Sequence, residues 1–228
     1  MCGRFSVSKK QEDIESRFGI QFNPEKLQPR WNAAPSQLLP VVTGNAPQRG
    51  QVFRWGFVPP WAKDERMGYK MINARLETVL EKRAYKNAFA TQRCLVIADG
   101  YYEWRISGKQ KIPHRIILPG ENLFAMAGIW EQWQAATGSV VYTFAILTQE
   151  ANPGLSYIHE RMPVILAPED EKPYLSNDLS PKEIPEWLEA RPPISLQTYT
   201  VGKLVNTVAN EGAELFQAVD YPEQQSLF

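Results

Sequence analysis

The 228-residue chain is 43% hydrophobic, 22% charged and 11% aromatic, the composition of an ordinary soluble globular protein with one sizeable core. No apolar run is long enough to span a bilayer and no signal peptide occurs, since the N-terminus runs straight into Arg4, Lys9 and Lys10, so a cytoplasmic protein is expected. The net charge is zero, yet residues 1–120 carry 20 Lys+Arg against 10 Asp+Glu and the remainder 5 against 15, which points to one basic face able to follow a phosphate backbone unless the two halves interleave.

In chain order, Gly3–Val7 reads as a strand that ties down the N-terminus. Ser8-Lys9-Lys10-Gln11 matches a capping box and predicts a helix over 9–18, stopped at Gly19. Trp31-Asn32-Ala33-Ala34-Pro35 reads as loop, Leu38–Val42 and Val52–Val58 as strands. Pro59-Pro60-Trp61 is a stiffened tip whose indole is either a core plug or a stacking platform for a base. A helical pattern covers 77–89. Strands follow at 95–98, 101–106, 115–118, 123–130 and 140–148, with turn signals at Gly100, Gly108, Gly120 and Gly138. A loop over 152–163, a strand over 164–167, acidic helices over 169–175 and 181–190, and a late strand over 198–201 complete the chain. Short strands at this spacing predict an α+β fold: a mainly antiparallel barrel- or sandwich-like core with a few peripheral helices, occupying 1–218 and leaving a tail at 219–228.

Two cysteines and two histidines, with no Cys-x-x-Cys or His-x-x-x-His spacing, argue against a disulfide framework and a metal site; no cofactor is expected. Cys94 lies in an apolar run and reads as a core residue. Cys2 is different. If Met1 is removed, Cys2 carries an α-amine and a thiol on adjacent carbons. An α-amine titrates near 7.7 and a lysine near 10.4, so roughly 500-fold more of the former is neutral at pH 7. A neutral amine attacks an aldehyde, and the thiol then closes a five-membered thiazolidine on the imine carbon.

Met1-Cys2-Gly3-Arg4, Trp31-Asn32-Ala33-Ala34-Pro35, Arg54-Trp55-Gly56, Ile72-Asn73-Ala74-Arg75, Ala98-Asp99-Gly100-Tyr101-Tyr102-Glu103-Trp104 and Ile158-His159-Glu160-Arg161-Met162-Pro163 together resemble the SRAP family, whose members cross-link themselves to abasic sites in DNA. The resemblance runs from Cys2 to about Phe216. It implies that Cys2, freed of Met1 by a peptidase-like step, is the cross-linking residue, and that Asn73, Glu103 and His159 fall on active-site positions. It also implies that Arg4, Arg75 and Arg161 hold phosphates, that Trp61 meets the DNA, and that Asn32 lies on a DNA-contacting segment whose neighbouring alanine departs from the family pattern. The chemistry fits. His159 can give or take a proton at neutral pH. Glu103, between Tyr102 and Trp104, can be raised by an apolar pocket. Asn73 offers a donor and an acceptor without titrating.

The implied partner is single-stranded DNA with abasic sites, bound by a monomer without sequence preference. Gln224-Gln225-Ser226-Leu227-Phe228 resembles the short peptide that docks on bacterial sliding clamps, making Gln224, Leu227 and Phe228 candidate partner-binding residues. Two other readings stay open: an N-terminal-nucleophile amidohydrolase using the Cys2 thiol, and a non-covalent module for single strands.

Overall fold

The computed structural model describes residues 2–22 and 27–221. Five long strands form a barrel: β4 (Leu38–Thr43), β5 (Ala46–Trp55), β7 (Arg93–Ala98), β10 (Phe124–Gln134) and β11 (Val140–Glu150). Each neighbour is antiparallel in the order β11-β10-β7-β4-β5, and a parallel pairing of Thr143 with Arg54 and Phe144 with Trp55 joins β11 back to β5. Closure leaves no free edge on these five strands where the pairing is made. β7 is buried at all six positions, as expected of the uninterrupted run Cys94-Leu95-Val96-Ile97-Ala98 covered on both faces. Short strands extend the sheet: β2 (Gln21–Phe22) on β5, β6 (Asn73–Arg75) and β12 (Arg161–Pro163) on β11, and β13 (Ile165–Leu166) on β10.

A second sheet packs beside the barrel in the order β14 (Gln197–Thr200), β9 (Gln110–Ile117), β8 (Gly100–Ser107), β1 (Phe5–Val7), β3 (Arg30–Ala33). Alternation assigns its two faces. Phe5, Tyr101 and Ile116 turn into the main core, where Phe5 meets Trp55 at 5.0 Å between ring centroids. Tyr102 turns the other way and packs with Val201 and Val205 of the C-terminal segment. Helices α1 (Gln11–Phe18), α2 (Lys86–Thr91), α3 (Pro168–Leu175) and α4 (Ile184–Glu189) lie around the sheets. The fold is α+β with a closed, mainly antiparallel barrel, as the strand spacing predicts.

The structure departs from the sequence expectations in four places. Helix α1 has no side-chain N-cap: Ser8 instead turns its hydroxyl to Asp99 at 2.8 Å, because the buried Asp99 carboxylate gathers Ser6 and Ser8 beside Arg115. Arg30–Ala33 is a strand rather than a loop, since pairing with β1 fixes its backbone. The helix expected over 77–89 is broken into a 3-10 turn at Leu76–Thr78, further turns and the short α2. The break lets Tyr85 turn back, its ring edge-on to Phe57 and its hydroxyl donating to the Asn73 carbonyl. Finally, Arg161–Pro163 pairs with Glu150–Thr148 as β12, a strand the proline at its end disguises. Among the described residues, no helix is long and apolar enough to cross a membrane.

Candidate active site

Cys2 is completely buried at the head of β1. Burial pushes its thiol well above the usual range, and the nearby Glu103 carboxylate pushes the same way. The Asn73 amide, at the start of β6, donates to the Cys2 carbonyl at 2.8 Å. Strand β6 is aimed by its parallel pairing with β11, which sets Asn73 opposite Ile146 and buries Ala74 between the exposed Arg75 and the half-buried Asn73. The Asn73 Oδ1 is buried with no hydrogen-bond partner among the described residues, an acceptor available to a proton on the ligand or on the terminal residue.

Glu103 projects from the middle of β8 and is 5% exposed. Burial raises its carboxyl pKa above the ordinary carboxylate range, and the neighbouring His159 works in the opposite sense. With Tyr101 and Ile116 it forms one wall of a narrow pocket; Leu155, Ile158, His159, Arg161 and Met162 form the other. The loop carrying His159 is held by its own turns and by the buried Leu155 and Ile158. The Arg161 backbone N–H donates to His159 Nδ1 at 2.9 Å. Neutral His159 is therefore the Nε2–H tautomer.

The arginines divide. Arg161 is buried in a bidentate pair with Glu77 at 2.6 and 2.9 Å, and donates to the Thr148 carbonyl at 2.7 Å. Arg4 lies on the other face of the second sheet, donating to Asn32 Oδ1 and to the Val205 carbonyl, each at 2.7 Å, with its guanidinium 5.8 Å from the Trp104 ring. Asn32 in turn donates to the Val205, Thr207 and Asn210 carbonyls. Trp61 is 49% exposed with the Arg83 guanidinium 5.6 Å from its ring, while Ala62 behind it accepts from the Trp133 indole. The structure thus gathers Cys2, Asn73, Glu103, His159 and Arg161, leaves Arg75 and Trp61 at the surface, and sets Arg4 and Asn32 beneath the C-terminal segment. Gln224, Leu227 and Phe228 lie outside the described residues.

Sequence reasoning passed over Glu77 and Tyr101. Glu77 lies in the 3-10 turn just after β6, and only the fold brings it to Arg161. Among the described residues no group of three or more His, Cys, Asp or Glu side chains could hold a metal. A wider groove lined by Lys9, Asp13, Arg17, Leu123 and Phe124 lies apart from these residues.

The chain is similar to known proteins over nearly its whole length. The family model described as SOS response associated peptidase (SRAP) matches residues 1–208. The abasic site processing protein YoaM of Bacillus subtilis is 43% identical over 97% of the chain and all of its own length. The abasic site processing protein YedK of Escherichia coli is 31% identical over 96% of the chain and all of its own, and the abasic site processing protein HMCES of Gallus gallus is 31% identical over 96% of the chain and 78% of its own. A crystal structure of a protein from Bacteroides thetaiotaomicron superposes with a TM-score of 0.85 at 29% identity, covering 96% of the chain and all of that protein. On the extent of these matches, the chain is a member of the SRAP family.

Proposed function

We propose that the protein processes abasic sites in single-stranded DNA by forming a covalent cross-link through Cys2 once Met1 has been removed. The observation that carries this reading is the Asn73 amide on the Cys2 carbonyl, which holds the terminal residue beside Glu103 and His159. While Met1 is attached, the nitrogen of Cys2 is an amide and cannot condense.

In the reactive form the neutral amine adds to the aldehyde carbon of the ring-opened deoxyribose, giving a carbinolamine. Its hydroxyl leaves as water after receiving a proton, for which protonated Glu103 is the proposed donor, with His159 beside it as the second acid–base group. The thiol sulfur then bonds to the imine carbon while its proton passes to nitrogen, closing the thiazolidine. Overall, one water is lost and no oxidant or reductant is consumed. Asn73 keeps the amine in line without titrating. The buried thiol favours a route in which the amine makes the first bond; an amide hydrolase would need the thiolate first, so burial counts against that alternative.

Intact mass spectrometry before and after incubation with an abasic oligonucleotide tests the proposal. The expected product is the chain without Met1 plus the oligonucleotide less one water, absent in Cys2→Ala. A wild-type yield from Cys2→Ala would remove Cys2 as the bonding residue, and hydrolysis of a panel of amides without any DNA adduct would favour the hydrolase.

A further inference from the structure

The wall that presents Glu103 does not end at the pocket. On the same face of the β8–β9 hairpin, Tyr101, Glu103 and Arg105 succeed one another along β8, and their partners on β9 are Ile116, His114 and Ile112. His114 stands directly across the ladder from Glu103, where facing Cβ atoms are about 5 Å apart. His114 is 5% exposed, and neither ring nitrogen has a hydrogen-bond partner among the described residues. Arg105, half-buried beside it, also has a buried Nε without a partner and makes no ion pair among the described residues. The two lie close enough for the guanidinium to help burial depress the imidazole pKa. Above them Tyr157, 54% exposed on the loop that carries His159, sets its ring edge-on to His114 at 6.0 Å between centroids.

A buried donor left unsatisfied is costly, so unanswered groups on one sheet face beside a buried carboxyl are unusual in a folded protein unless a ligand answers them. Taken together they offer a fixed cation and an imidazole N–H and bring no carboxylate of their own beyond Glu103. We infer that Arg105 and His114, roofed by Tyr157, form a subsite for one phosphodiester next to the abasic nucleotide, so that the strand leaves the pocket along the β8–β9 hairpin. The inference rests on the proposed function for which DNA is bound. It assigns strand positioning to two residues outside the set that holds the sugar. Neutral His114 is sufficient, since a single N–H satisfies a phosphate oxygen.

The test pairs protein and substrate changes. Abasic oligonucleotides with a single methylphosphonate at each flanking linkage are compared for cross-linking rate at subsaturating DNA and for equilibrium binding, using wild type, Arg105→Gln, Arg105→Lys and His114→Gln. Wild type is expected to lose about tenfold at one linkage and little at the others. Arg105→Gln and His114→Gln should lose a similar factor on the unmodified strand and nothing more at that linkage, with Arg105→Lys recovering part. Equal sensitivity of wild type and variants at every linkage would overturn the subsite. If Arg105→Gln does not fold, a wild-type map with no sensitive linkage overturns it equally. Covalent product without coupling removes the subsite alone, whereas coupling in binding without any covalent product keeps the subsite and removes the cross-linking reading.

Discussion

Glu103 is a carboxyl that its surroundings hold toward the protonated form, and this has opposite consequences for stability and for chemistry. A folded-state pKa raised above the unfolded value stabilises the fold below the ordinary carboxylate pKa of 4.5, and that contribution disappears as pH rises through the folded value. At neutral pH the ionised side chain is therefore a burden. Glu103→Gln, which keeps shape and removes charge, is expected to melt higher than wild type at pH 7, with the advantage shrinking as pH falls. Its cross-linking should slow by about a hundredfold if it supplies a proton. Melting curves from pH 4 to 8 beside single-turnover rates check both halves, and a variant that is fast or no more stable at pH 7 would refute the role. That Cys2, Asn73, Glu103 and His159 come together was legible because their residue types and motif order point to one chemistry. The pairing of Arg161 with Glu77 and of Arg4 with Asn32 was not, because those partners are set by which face of a sheet each strand presents.

Among the elements, the segment between β5 and β6 depends on two glycines. Gly56 has φ of 131°, and a Cβ there would stand 2.7 Å from the Gly68 carbonyl oxygen; a Cβ on Gly68 would meet the Gly56 oxygen at 2.5 Å. The backbones touch, and that contact fastens the loop bearing Trp61. Gly56→Ala should cost about 3 kcal/mol through backbone strain and overpacking, read from urea midpoints. Affinity for single-stranded DNA should also fall if Trp61 stacks on a base, whereas unchanged binding would detach the loop from recognition. The strands of the barrel were legible because apolar runs between glycines allow few alternatives. The 77–89 stretch misled because a helical pattern records which residues prefer to be buried, not that Tyr85 must reach back to Phe57 and Asn73. Likewise Ser8 is a good cap by composition, and only the distant Asp99 decides otherwise.

For the whole molecule, the basic first half and acidic second half do not form separate bodies. Arg17 pairs with Glu171, Arg30 with Glu211, and strand β14 from the acidic half lies along β9 from the basic one. Part of the cationic excess is thereby neutralised within the fold. Arg4 and Arg161 are already engaged, whereas Arg75 and Arg83 are exposed and Arg105 is half-buried, three cations that phosphates can reach. About three phosphate contacts give a slope near −2 for log affinity against log salt on single strands. Titrations between 50 and 300 mM salt check this, and a slope near zero would exclude phosphate-led binding.

The parallel seam between β5 and β11 also sets an order in time. Thr143 must be synthesised before it can meet Arg54, and until then β5 and β10 are open flanks with nothing to zip against. Strand β6, which carries Asn73, rests on β11 as well. A nascent chain therefore lacks the Asn73 contact that holds Cys2, and on the proposed function the site that positions the terminal residue is completed only when the late strand arrives.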